Sequence, residues 1–316
     1  NSYIKYLRRE QNNMFELLKK GDMIGVIAPS SPVDKEDLEV INQSVLLLES
    51  AGFHIQFGKN VFSHSLGYSA TPKEKAQDIN NMFADKNIKL IFCLSGGFNS
   101  NSTFEYLDYD IIKNNPKPIC GFSDSTSLTN AIYAKTGVIT FNGATFKALT
   151  SWQTEYAYKE VIKRFVKGDL SLGQKDDEYI TIKDGIVEGK LVGGNLSLTT
   201  QMCVGNYSID FNDKILFIEE FCLETPPELV SNYFYHMKQN GVFDKIKGIW
   251  VGNYDGSVAL EKILLDVLED KYNFPIIKSN NFGHTERKTV IPVGAKAKID
   301  TTKDTKIEIL ENLYMG

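Results

Sequence analysis

From Asp22 onward the chain alternates short apolar runs with longer amphipathic stretches, and no other feature restricts its fold as strongly. MIGVIAP is followed by DKEDLEVINQSVLLLESAG and then by FHIQFG. That order reads as strand, helix, strand, with the helix stopping at Gly52. A helix returning the chain between two strands lays them side by side in parallel. The pattern recurs as a helix over 72–84, a strand over 89–94, a strand over 118–122 and a helix over 125–136. Up to about Ala148 this is one doubly wound α/β domain, with boundaries expected at 14–167. Residues 168–188 turn polar and rich in Gly, Asp and Lys, and read as a linker with a short hairpin. Residues 189–316 mix strands and helices without simple alternation, and read as a separate α/β domain. A chain of 316 residues is long enough for two such domains.

The same sequence removes several classes of function. Lys plus Arg number 35 against 40 Asp plus Glu, a formal charge of −5 that repels phosphate backbones, and no basic cluster with interleaved aromatics offsets it. Nucleic acid is not an expected partner. Apolar runs such as Ile24–Pro29 and 215–218 are strand-sized, well short of the ~20 residues that span a bilayer, so no membrane association is expected. Residues 1–13 are charged throughout and lack the apolar core of a secretory signal, which points to a cytoplasmic location. Asn1 is not a Met and Met14 offers a start, so residues 1–13 are set aside as additional sequence. Cys93, Cys120, Cys203 and Cys222 are scattered mostly in apolar runs, and the four histidines form no metal-binding spacing. With no G-x-G-x-x-G and no Walker motif either, neither a metal nor a cofactor is expected.

Four positions carry the chemistry that remains. In CGFSDSTSLTNAIYAKTG a strand ends at Gly121-Phe122, Ser123 follows, and a helix starts within about two residues. A serine on such a bend lies at a helix N-terminus, where unpaired N–H groups favour developing negative charge; Ser123 or Asp124 also reads as a plain N-cap. A second turn, Ser95-Gly96-Gly97-Phe98-Asn99, follows the strand KLIFCL. Paired glycines there admit a ligand close to the backbone, and the N–H groups of Gly97 and Asp124 can form an oxyanion hole. Glu219 ends the apolar strand of KILFIEEFCLETPP, where a carboxylate needs a partner. His284 sits in the Gly-containing loop NFGHT, whereas His54 falls in a strand and His236 in a helix.

GFSDST, LFIEE and GHT, in the order Ser, Glu, His, resemble the LD-carboxypeptidase and microcin-immunity family of serine peptidases. The likeness runs from Gly21 through GDMIGVIAPSSPV, GYSATPKEKAQDINNMFAD, GKLVGGNLSL and GVFDKIKGIWVG. It implies an N-terminal Rossmann-like doubly wound domain, a C-terminal mixed α/β domain, and an active site at their interface. It further implies Ser123 as nucleophile, His284 as general base, Glu219 as the residue orienting His284, an acyl-enzyme intermediate and a homodimer. The run Ser95 to Asn101 is similar to the microcin-immunity branch, which cleaves an amide joining an acyl group to a nucleotide-like part. By that likeness Gly96 and Asn195 border the substrate, a small peptide or peptidyl-nucleotide; the alternatives are a muropeptide substrate, cleaved in cell-wall recycling, and a non-catalytic ligand-binding descendant of the family. That branch commonly carries a tryptophan ahead of GGNL and a basic residue after the glutamate. Here Gly168–Gly189 has no tryptophan, with Tyr179 the aromatic in its place, and Phe221, Cys222, Leu223 and Glu224 follow the acids.

Overall fold

The computed structural model describes residues 14–152 and 154–315; residues 1–13 lie outside them. The first half opens with β1 (Met23–Ile27), β2 (His54–Phe57) and a hairpin of β3 (His64–Ser65) and β4 (Tyr68–Ser69), then continues with β5 (Ile88–Cys93), β6 (Ile119–Gly121) and β7 (Thr140–Asn142). The second half supplies β8 (Ile180–Lys183), β9 (Ile186–Asn195), β10 (Lys214–Glu219), β11 (Gly248–Val251), β12 (Ile276–Lys278), β13 (Ile291–Val293), β14 (Lys296–Asp300) and β15 (Ile307–Ile309). Local signals set the helix ends. Helix Pro72–Ala84 starts at a reciprocal capping box between Thr71 and Glu74 with proline at its first position. Helix Ser125–Thr136 stops at Gly137, whose φ of +73° is cheap only without a side chain.

The first sheet has the order β13-β7-β6-β5-β1-β2, parallel except where β13 meets β7. The winding reverses between β1 and β5, so the loops after those strands open a crevice at their carboxyl ends, the usual place for a ligand in such sheets. The second sheet, β15-β14-β9-β10-β11-β12-β8, is parallel from β9 to β12 and antiparallel toward both edges. One apolar cluster extends from Ile27, Phe83 and Ile132 to Leu216, Phe234 and Leu264, so the two halves share a core.

Two strands have partners that the sequence reading did not give. The stretch read as a linker, 168–188, contributes β8, which pairs with β12 at the edge of the second sheet, and the start of β9, so the boundary expected at 189 falls inside a strand. β13 crosses back to pair with β7 of the first sheet, because the apolar VIPV run finds an open edge there. The segment after His284 therefore joins both sheets. No described helix is long and apolar enough to cross a membrane.

Candidate active site

β6 delivers Ser123 directly to the start of helix Ser125–Thr136. The residue has φ +60°, a left-handed conformation that costs a non-glycine residue roughly 1–3 kcal/mol and clusters where strain has a use. The bend turns the hydroxyl out of the first sheet and toward the second. Gly96 faces it: a methyl group at Gly96 would lie 2.9 Å from Ser123 Cβ and 3.1 Å from Oγ, so only glycine leaves the hydroxyl accessible. Gly97 has φ +120° and its Cα packs against Ser31. The Asp124 carboxylate turns away from the site, accepting bonds from Ser30 Oγ (2.6 Å) and the Ser100 N–H (2.8 Å), and thereby ties the glycine turn to the loop after β1. Asp124 is the helix N-cap by position, but its side chain makes no capping bond.

Glu219 ends β10 and is 1% exposed. Its Oε2 accepts the His284 backbone N–H at 3.0 Å and lies 2.7 Å from His284 Nδ1; His284 Nε2 in turn lies 3.1 Å from Ser123 Oγ. With the proton on Nδ1, Nε2 is left to accept from the serine hydroxyl. Burial pushes the Glu219 carboxyl up, but the His284 charge and the hydrogen bonds outweigh it and hold the group below the usual range. Burial lowers His284, and the Glu219 charge more than compensates, leaving it above the ordinary 6.5. Three segments far apart in sequence, 65 residues from Glu219 to His284 and 161 from Ser123 to His284, thus meet in one hydrogen-bonded chain.

The surroundings fix that chain. Gly283 has φ +99°, and a Cβ there would sit 2.5 Å from Glu219 Cγ and Oε2, so the loop comes this close only because residue 283 has no side chain. Gly283→Ala is expected to displace His284 and lower kcat by about 10²-fold, since a 1 Å misplacement costs that much; steady-state kinetics on the folded variant checks it. Phe221 stacks on the His284 ring at 4.5 Å, and Phe122 meets it edge-on at 5.2 Å. Asn253 Nδ2 donates to the His284 carbonyl at 3.0 Å. Asp177 bonds Asn281 and Arg287, fastening the 174–179 segment to the histidine loop.

The structure gives two of the positions named in the sequence analysis specific partners. The side-chain amide of Asn195, expected at the substrate, donates to Glu219 Oε1 at 3.2 Å and Glu220 Oε1 at 2.9 Å, while Oδ1 takes Ser197 Oγ and the Leu198 N–H. Parallel pairing of β9 with β10 sets Asn195 beside Glu219, so its amide holds the acid in place. Tyr179, the aromatic in place of the missing tryptophan, points inward: its hydroxyl donates to the Leu172 carbonyl and its ring lies 6.3 Å from Trp250. Sequence reading also passed over Glu220 and Asn253, and took Phe221 only as a non-basic residue of the loop after the acids. Glu220 follows the acid directly and is raised by burial and by the Glu219 charge; nothing in its local sequence separates it from a surface acid. Cys93 and Cys120 are buried and Cys203 and Cys222 partly so, all as free thiols. Among the described residues no group of acids, histidines and cysteines is arranged to hold a metal.

Comparison with known proteins agrees with this fold. Residues 24–143 match the LD-carboxypeptidase N-terminal domain and residues 188–299 the LD-carboxypeptidase C-terminal domain. The probable murein peptide carboxypeptidase of Bacillus subtilis (strain 168) is 30% identical over 304 residues, covering 92% of each chain. The microcin C7 self-immunity protein MccF of Escherichia coli is 30% identical over 318 residues, covering 90% of this chain and 92% of its own. The solved structure of MccF in complex with glutamyl sulfamoyl guanosine aligns with a TM-score of 0.87 at 27% identity, over 96% of this chain and all of that one. With both family domains matched in order, and relatives at 30% identity over at least nine-tenths of its length, the chain belongs to the LD-carboxypeptidase family of peptidases.

Proposed function

We propose that the protein is a metal-independent serine carboxypeptidase or amidase that hydrolyses an amide in a small peptide or peptidyl-nucleotide. The observation that carries this reading is the continuous contact from Ser123 Oγ through the His284 ring to buried Glu219, at 3.1 and 2.7 Å. His284 takes the Ser123 proton as the hydroxyl oxygen attacks the amide carbonyl, and Glu219 stabilises the imidazolium. The N–H groups of Gly97 and Asp124 receive the charge on the carbonyl oxygen. The C–N bond then breaks, His284 protonates the leaving amine, and water, deprotonated by His284, hydrolyses the acyl-enzyme. A homodimer is part of the same reading, on the resemblance alone.

Two outcomes test it. Chelation with EDTA is expected to leave the rate unchanged, because His284 supplies the base and the N–H groups the electrophile; inhibition reversed by a divalent cation would contradict it. The pH profile is expected to rise through a pKa above 6.5, since His284 acts only when neutral and Glu219 favours its protonated form. For the substrate, purified protein is offered an aminoacyl-sulfamoyl adenosine and a muropeptide ending in D-alanine. Processing of the first supports the conjugate reading. Release of D-alanine alone supports the second, a cell-wall carboxypeptidase, which is favoured by the loop after Glu219 having no basic side chain from Phe221 to Glu224.

A further inference from the structure

Lys288 lies four residues beyond His284, is 2% exposed, and has no part in the steps above. Its ammonium donates to the carbonyls of Gly283 at 3.0 Å and Thr285 at 2.6 Å, the two residues on either side of His284. The same nitrogen stands 4.2 Å from the Phe122 ring centroid and 4.3 Å from that of Trp152, within the range in which a cation is drawn to a ring face. Phe122 is the residue before Ser123, and Trp152 follows the short helix Ala148–Ser151 in the first half of the chain. One charged head therefore touches the turn that bears the hydroxyl and, from the other direction, both carbonyls that frame the imidazole. Among the described residues no carboxylate forms an ion pair with it, although an isolated buried ammonium is costly.

Resting on the hydrolase reading, we propose that Lys288 is a positioning residue whose ammonium, held between two ring faces and the carbonyls flanking His284, locks the histidine loop against the Ser123 turn and sets the electrostatic surroundings of the imidazole. The charged groups around that imidazole are Glu219 and Glu220 from the end of β10 and Lys288 from its own loop; the Asp124 carboxylate is turned toward Ser30 and Ser100. The two acids favour the imidazolium, and Lys288 opposes it. Burial brings Lys288 itself down to about 7, with Glu219 pulling the other way, so it carries its charge on the acid limb of the activity profile, and above that limb the neutral amine still has an N–H for each of the two carbonyls. Without the positive neighbour His284 protonates more readily, and the acid limb moves to higher pH.

The test compares Lys288→Met and Lys288→Arg with the parent enzyme in kcat, KM and kcat/KM against pH, using fluorophosphonate labelling at Ser123 to verify the fold. Lys288→Met is expected to lower kcat by about 10- to 100-fold with KM nearly constant, and to raise the acid limb by roughly 0.5–1 pH unit. Lys288→Arg, which keeps the charge, is expected to return the limb to its parental position. A Lys288→Met enzyme that labels normally and keeps the parental limb overturns the proposal, as does one changed only in KM. If Lys288→Met does not fold, Trp152→Leu removes one ring face at a half-exposed position and leaves the charge; a kcat equal to the parent's then overturns the clamp. Turnover that survives Ser123→Ala ends the hydrolase reading instead, so the two failures are distinguishable.

Discussion

Ser123→Ala is expected to lower turnover by at least ~10³-fold, the usual scale for losing a triad residue, and to leave the thermal unfolding midpoint unchanged. The hydroxyl bonds His284 Nε2, a contact across the cleft rather than one that braces the turn. Alanine keeps the Cβ, and with it the cost of φ +60°, so the folded state gains and loses little. Ser123→Gly separates the two properties further. It is equally inactive, but it relieves the left-handed strain, which offsets the extra freedom glycine has in the unfolded chain; a net stabilisation of up to about 1 kcal/mol is expected. Activity lost while stability holds or rises marks a residue held in strain for its chemistry. Near-normal hydrolysis by Ser123→Ala would remove the nucleophile assignment altogether.

The features legible in the sequence were those with short-range causes. Thr71 and Glu74 lie three residues apart, and Gly137 follows directly on the helix it ends, so helices 72–84 and 125–136 are readable without knowing what packs on them. The two sheets depend on partners far away in sequence. Nothing within VIPV says that β13 will pair with β7, about 150 residues earlier, rather than stay with its neighbours. Polarity over 168–188 signals a linker with a short hairpin, and because an edge strand buries little of either face, nothing there says that β8 pairs with β12. At the site, each of Ser123, Glu219 and His284 stands at the end of an element or in a glycine loop, visible one by one, but only their common order pointed to one another. Asn195 was placed at the substrate by the family likeness of GGNLS alone; its contact with Glu219 comes from the β9–β10 register, which no local pattern reports. Lys288 was invisible for the opposite reason: lysine ordinarily means solvent, and only the fold shows that this one is enclosed by Phe122 and Trp152.

Glu219→Gln is expected to lower kcat by about 10³- to 10⁴-fold, comparable to amide replacement of the acid in other triads, with KM little altered. The reason is a count of donors. Glu219 meets three: the His284 N–H and Nδ1–H at Oε2, and the Asn195 amide at Oε1. A glutamine has one oxygen and one NH₂. If the NH₂ faces His284, it drives the ring proton onto Nε2, and that tautomer cannot accept from Ser123. If the oxygen faces His284, the NH₂ confronts the Asn195 amide, which cannot simply rotate because its Oδ1 is bound to Ser197 Oγ and the Leu198 N–H. Either arrangement misorients or mistautomerises the base. The residual activity carries a second signature. Loss of the negative charge lets desolvation dominate at His284 and lowers its pKa, so the acid limb of kcat/KM moves to lower pH, the direction opposite to that expected of Lys288→Met. Measuring both profiles in one buffer series compares the two signs directly. A Glu219→Gln enzyme retaining more than roughly a tenth of the parental rate would mean that His284 is oriented by something other than this acid.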